Sequence, residues 1–129
     1  MSLAITSLYA GLFGLFYLGL SAWVVAQRAR RKVMSGDNGD PIMANAMRTH
    51  ANFAEYVPML LILLGLAEVN GLGSTWVHVS GLALLVARSL HVFGMRRLPH
   101  WSPGRGGGAT LTFVLLLVLS IANLVLVAT

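Results

Sequence analysis

A chain of 129 residues that is 57% hydrophobic, only 10% charged and free of cysteine has too little polar surface for an ordinary soluble domain, in which about 25% of residues are charged. It is long enough for one compact unit and too short for two, and it can hold no disulfide, thiolate metal site or thiol nucleophile. The net charge of +5 does not point to nucleic acid, because the basic residues sit at the ends of apolar runs, where membrane topology signals lie.

The fold expected is all-α, an integral membrane four-helix bundle in one domain. The first apolar run, residues 3–27, exceeds the roughly 20 helical residues that cross the ~30 Å hydrocarbon core. No basic residue precedes it, and Arg28, Arg30, Arg31 and Lys32 all follow it, so it reads as a retained helix rather than a signal peptide. After a basic loop comes the second run, 43–69, which is studded with polar residues. A tight turn at Asn70-Gly71-Leu72-Gly73 leads to the third, 74–95, interrupted by Arg88 and His91. A second basic loop, Arg96 to Gly108, precedes the fourth, 109–128. The runs are continuous rather than alternating, which excludes a barrel, and lipid leaves a spanning segment no other choice than helix.

All but Arg48 of the nine Lys and Arg residues lie in or near the two basic loops, with Arg88 counted beside the second. The positive-inside bias therefore places those loops in the cytoplasm and both termini outside. The location expected is a bacterial inner membrane.

Arg48, Asn52 and Glu55 recur at helical spacing and form one stripe on helix two, with Tyr56 beside it; His50 and Glu68 point the other way. Arg88 and His91 form a similar stripe on helix three, continued by Met95. Each ionisable group at bilayer depth costs about 2.5–3.5 kcal/mol on insertion scales, so two helices bringing such groups to one level mark a site. Glu55 is the only acid at that depth, and Arg88 is its expected partner across the helix interface. The four histidines show no i, i+4 pair, so no metal site is expected. Arginines suit carboxylates, Glu55 an ammonium and Asn52 an amide, which together fit a peptide-like zwitterion. A nearby arginine would also favour a thiolate. Ser7, Gly11 and Gly14 make a small-residue stripe on helix one that permits close helix packing, and Pro58 frees a carbonyl near Ala54.

The run Arg48-Thr49-His50-Ala51-Asn52-Phe53-Ala54-Glu55-Tyr56-Val57-Pro58 resembles the helix-two signature of the MAPEG family, the membrane-associated proteins in eicosanoid and glutathione metabolism. Its branches include microsomal glutathione transferases, leukotriene C4 synthase and microsomal prostaglandin E synthase. Arg88-Ser89-Leu90-His91 is similar to the family's helix-three R-x-x-H. The resemblance covers essentially the whole chain. It implies a homotrimer that takes glutathione as cosubstrate between neighbouring subunits and adds its thiolate to a hydrophobic electrophile arriving from the lipid. That is a detoxifying transferase or peroxidase activity, with an isomerase as a variant. On the same resemblance Arg28 binds a glutathione carboxylate, while Arg48, Asn52, Glu55 and Tyr56 hold the tripeptide. Arg88 and His91 contribute from helix three, and Arg105 is the arginine that stabilises the thiolate, with Arg96 and Arg97 as alternatives. Met95 stands where relatives carry a tyrosine. The family also includes a lipid-binding member without turnover, which has aspartate at the Glu55 position and lacks the arginine set. Two readings stand beside the enzyme: a non-enzymatic glutathione- or lipid-binding protein, and a small multidrug-type transporter using Glu55.

Overall fold

The computed structural model describes residues 2–96 and 102–128, and these form four helices: α1 (Ala4–Arg31), α2 (Pro41–Val69), α3 (Ser74–Met95) and α4 (Pro103–Ala128). Each is long and apolar enough to cross a membrane. Helices α2 and α3 touch each other and both touch α1 and α4, whereas among the described residues α1 and α4 do not meet. The section is a rhombus with α2 and α3 on its short diagonal. Phe13, Phe53, Leu60, Leu64, Val77 and Leu84 fill the middle, and large apolar side chains such as Leu15, Leu18, Leu117 and Leu124 cover the outside. A chain apolar within and without is built for lipid.

Three helices extend beyond their apolar runs, each for a local reason. Helix α1 continues through the cationic turn to Arg31, because Arg28, Arg30 and Arg31 complement the negative end of the helix dipole. It stops at Lys32, which adopts the left-handed conformation with φ 55°. Helix α2 begins at Pro41, since Asp40 caps it by accepting from the Ile42 and Met43 N–H groups at 2.8 and 3.1 Å and proline suits the first position. Asp40 is also ion-paired with Arg31, which clips the loop shut. Desolvation works to raise the Asp40 carboxyl, but the Arg31 hydrogen bond and the two N–H groups outweigh it, so it is held below its ordinary value.

The largest correction concerns α4. Residues 103–108, expected to be loop, are its first turns. Ser102 Oγ accepts from Arg105 N at 3.2 Å and donates to the Gly94 carbonyl at 3.0 Å, capping the helix and tying it to α3. Glycine is a poor helix former, by about 1 kcal/mol against alanine, yet here it permits contact. A Cβ on Gly108 would stand 2.5 Å from the Ala87 carbonyl, and one on Gly94 would stand 2.2 Å from Arg105 N. The glycines let two backbones meet, and that packing holds the segment helical.

At the far end of the bundle Glu68 reaches from α2 to the first turn of α1. It accepts from Ile5 N and Thr6 N at 3.0 and 2.8 Å. Free N–H groups at a helix start need acceptors, and a carboxylate there also meets the positive end of the dipole. Tyr9 ties α1 to α3 on the same level by donating to the His78 carbonyl at 3.0 Å.

Candidate functional site

At the end of the bundle that bears the basic loops, α2 and α3 bring the expected polar groups together, but with partners exchanged. Glu55 does not meet Arg88. Its Oε1 accepts from Arg48 Nη1 at 3.2 Å, and both side chains are largely exposed, Arg48 at 61% and Glu55 at 47%. The two lie seven residues apart, two turns along one face of α2, so no neighbouring helix is needed to join them.

Arg88 turns inward. It is 1% exposed, the largest fully buried side chain in the structure, and its Nη2 donates to Asn52 Oδ1 at 2.7 Å. Its guanidinium carbon lies 5.7 Å from the Phe53 ring centre, within cation–π range. Arg88 Nε and, one turn further, His91 Nδ1 are buried without a hydrogen-bond partner in the described structure. Two orphaned polar atoms thus lie on one stripe, next to an asparagine whose NH2 group is free of protein partners among the described residues.

The amide of Asn52 has a definite direction. Guanidinium can only donate, so the Asn52 oxygen faces Arg88 and its NH2 group faces away, as a donor.

Tyr56 packs edge-on against Phe113 of α4 with ring centres 5.5 Å apart, joining α4 to the site-bearing face of α2. Arg28 lies at the end of α1, where it donates to the Gly36 carbonyl at 3.1 Å and touches Met47 Sδ at 3.6 Å. Arg105 is in the first turn of α4 and exposed, held by the Ser102 cap and the Gly94 contact. Arg96 is drawn elsewhere: its guanidinium lies 5.9 Å from the Trp23 ring of α1 and 5.3 Å from Phe93. Arg97 and His100 fall outside the described residues.

His50 points from α2 to α1, as its register requires. Its ring stacks on Tyr17 at 4.7 Å, and Nε2 lies 3.0 Å from Ser21 Oγ. The same hydroxyl lies 2.9 Å from the Tyr17 carbonyl, to which it donates. Sequence reasoning overlooked Asn45, whose Nδ2 donates to the Met95 carbonyl at 2.7 Å and pins the end of α3 to α2. The signal was present, since Asn45 stands three residues before Arg48 in the same stripe. It also overlooked the Ser102-Pro103 pair, an ordinary start signal for a helix.

The charges do not balance within the chain. Its four acids are all engaged: Asp37 accepts from Gly39 N, Asp40 pairs with Arg31, Glu55 pairs with Arg48, and Glu68 caps α1. Arg88 and Arg105 have no carboxylate partner among the described residues. Among the described residues no three His, Asp or Glu side chains converge as metal ligands. The chemistry on offer is that of fixed cations and hydrogen-bond donors.

The sequence matches the MAPEG family over residues 6–125, and this protein belongs to that family. It is similar to the inner membrane protein YecN of Escherichia coli strain K12, with 36% identity over 121 residues covering 93% of this chain and 90% of the relative. The YecN protein of an Escherichia coli O6:H1 strain matches with the same figures. The four apolar helices and the family together define an integral membrane protein.

Proposed function

We propose that this protein is a membrane glutathione transferase, with peroxidase capacity, acting in a bacterial inner membrane with its basic loops in the cytoplasm. The observation that carries the reading is the buried Arg88–Asn52 pair, an uncompensated cation with orphaned donors, beside the Arg48–Glu55 pair on the same helix face. A tripeptide with two carboxylates and one ammonium supplies the missing anions and meets the one carboxylate.

Arg48, Arg28 and the outward NH2 of Asn52 bind its carboxylates and carbonyls, Glu55 takes the ammonium, and Tyr56 and His91 line the site. Arg105, at the start of α4, stabilises the thiolate. The thiol proton leaves to water, and the sulfur forms a bond to the electrophilic carbon of an apolar substrate as the leaving group departs or an epoxide opens. The protein supplies alignment and a lowered thiol pKa. The site is completed by neighbours in a homotrimer, because Arg48 and Glu55 are too exposed on one subunit to face lipid without cover. The engagement of Glu55 with Arg48 argues against a multidrug-type transporter, which needs a membrane carboxylate free to exchange a proton for a cation.

Calorimetric titration of the detergent-purified protein with glutathione, alongside turnover of chlorodinitrobenzene, tests the proposal. Saturable binding and glutathione-dependent consumption are expected. Glu55→Gln should weaken binding by about tenfold or more, from the ~1.5–3 kcal/mol of a hydrogen bond to a charged group. Arg105→Ala should lower turnover with little change in affinity. Binding without turnover would favour a non-enzymatic carrier, and no binding at all would sink the reading.

A further inference from the structure

The cation at the end of α3 stands apart from the site just described. Arg96 has no carboxylate partner among the described residues, whose ion pairs are Arg31–Asp40 and Arg48–Glu55. Its N–H groups donate to no acceptor among the described residues. Its guanidinium is nonetheless held in place, within cation–π distance of Trp23 and Phe93. An arginine that merely snorkels toward water has no need of such a clasp.

Directly beside it a groove of about 240 Å³ runs between α1 and α3, walled by Phe16, Gly19 and Trp23 on one side and Phe93 on the other. Gly19 leaves the α1 wall open, with nothing within 4 Å of where its Cβ would stand. From Phe16 to Trp23 the groove follows α1 for about 10 Å, at 1.5 Å per residue. On the other side of Phe93, Arg96 borders a second hollow of about 520 Å³, against Ser102 and Gly104. Phe93 is 63% exposed and stands as a ridge between the two. A fixed cation at a helix end, a tryptophan at the same level and two apolar troughs leading away reproduce the profile of an amphiphile.

We propose that this crevice is a binding site for an anionic phospholipid, with Arg96 on the headgroup phosphate and the acyl chains on either side of Phe93. The proposal does not depend on glutathione binding, because Arg96 faces α1 whereas the Arg88–Asn52 pair lies between α2 and α3.

Native mass spectrometry of the detergent-purified protein, with phosphatidylglycerol or phosphatidylcholine added in equal amounts, tests it. The native protein should retain phosphatidylglycerol about fivefold better, the ratio expected of one arginine meeting a net anionic headgroup rather than one whose phosphate is neutralised by its own choline. Arg96→Gln should abolish the preference, Arg96→Lys should keep most of it, and Trp23→Leu should weaken retention of both lipids. Inorganic phosphate should not displace the bound lipid. Equal retention by the native protein and Arg96→Gln would overturn the proposal. So would displacement by inorganic phosphate, which would mark a free-anion site, or loss of glutathione binding in Arg96→Gln, which would assign Arg96 to the substrate site. A fall in oligomeric mass in Arg96→Gln would also overturn it, by showing that another subunit covers the face.

Discussion

An arginine can only donate, and that one-sidedness orients whatever amide it meets. Arg88 faces Asn52 Oδ1 at 2.7 Å, so the Asn52 NH2 group is presented outward to a carbonyl or carboxylate. The isosteric change Asn52→Asp separates the two roles of this side chain. Aspartate would give Arg88 the carboxylate it lacks, so thermal unfolding in detergent should be unchanged or shifted upward. It would also replace an outward donor by an outward anion, so glutathione affinity should fall at least about tenfold, within the ~1–3 kcal/mol that a mismatched polar group costs. A variant that loses stability and affinity together would show that Asn52 serves only the fold. The behaviour of Glu55 is different. Its partner Arg48 is on its own helix and exposed, so the pair remains available to a ligand that inserts between the two charges.

At the scale of elements, the contact between α3 and α4 decides where Arg105 stands. The glycines at 94, 104 and 108 bring the two backbones together, and adding a side chain there would push α4 and its arginine away from His91. Gly108→Ala places a Cβ among the Ala87 carbonyl at 2.5 Å and the His91 backbone at 2.6 Å. Since backbone cannot give way, it should cost about 1–3 kcal/mol and lower turnover as well. Gly107→Ala is the control, because nothing lies within 4 Å of its Cβ position. There alanine's helix propensity should stabilise the protein, by up to about 1 kcal/mol. Opposite shifts in melting temperature for these neighbours would confirm that the glycines pack rather than flex. The other helix end follows the same physics with a different device. Glu68 satisfies the first N–H groups of α1.

For the whole molecule, the outer surface shows what one subunit lacks. Ser7, Gly11 and Gly14 face outward on α1, and the two glycine positions meet no atom of their own chain within 4 Å. At Gly11 and Gly14 the stripe expected to allow close helix contact therefore makes none among the described residues. Beside it an apolar groove of about 300 Å³ runs between α1 and α2, bordered by Gly14, Tyr17, Ala54 and Pro58. With the exposed Arg48–Glu55 pair on α2, these features call for a neighbour of the same kind, as the proposed trimer supplies. Mass measurement in mild detergent should give three copies. Gly14→Leu should shift the mass toward the monomer and weaken glutathione binding in step, because bulk in a small-residue contact separates helices. Monomers that still bind glutathione would place the whole site on one chain.

The sequence by itself determined the number of spans, the all-α class, the family and the stripe Arg48, Asn52, Glu55. Hydropathy, charge placement and three-to-four-residue spacing are properties of a segment, and lipid imposes helix on any segment that crosses it. The partner of each polar group was not legible in the same way. That Arg88 meets Asn52 rather than Glu55, that Glu68 caps α1, and that Arg96 turns to Trp23 while Arg105 stands on α4 all depend on how helices rotate and cross. Those angles are set by packing between residues far apart in the chain, such as Phe13 on Phe53 and Gly108 on Ala87. The first turns of α4 are the sharpest case. Glycine's local preference argues for loop, and only the close approach of α3, which no other residue would permit, makes those turns helix.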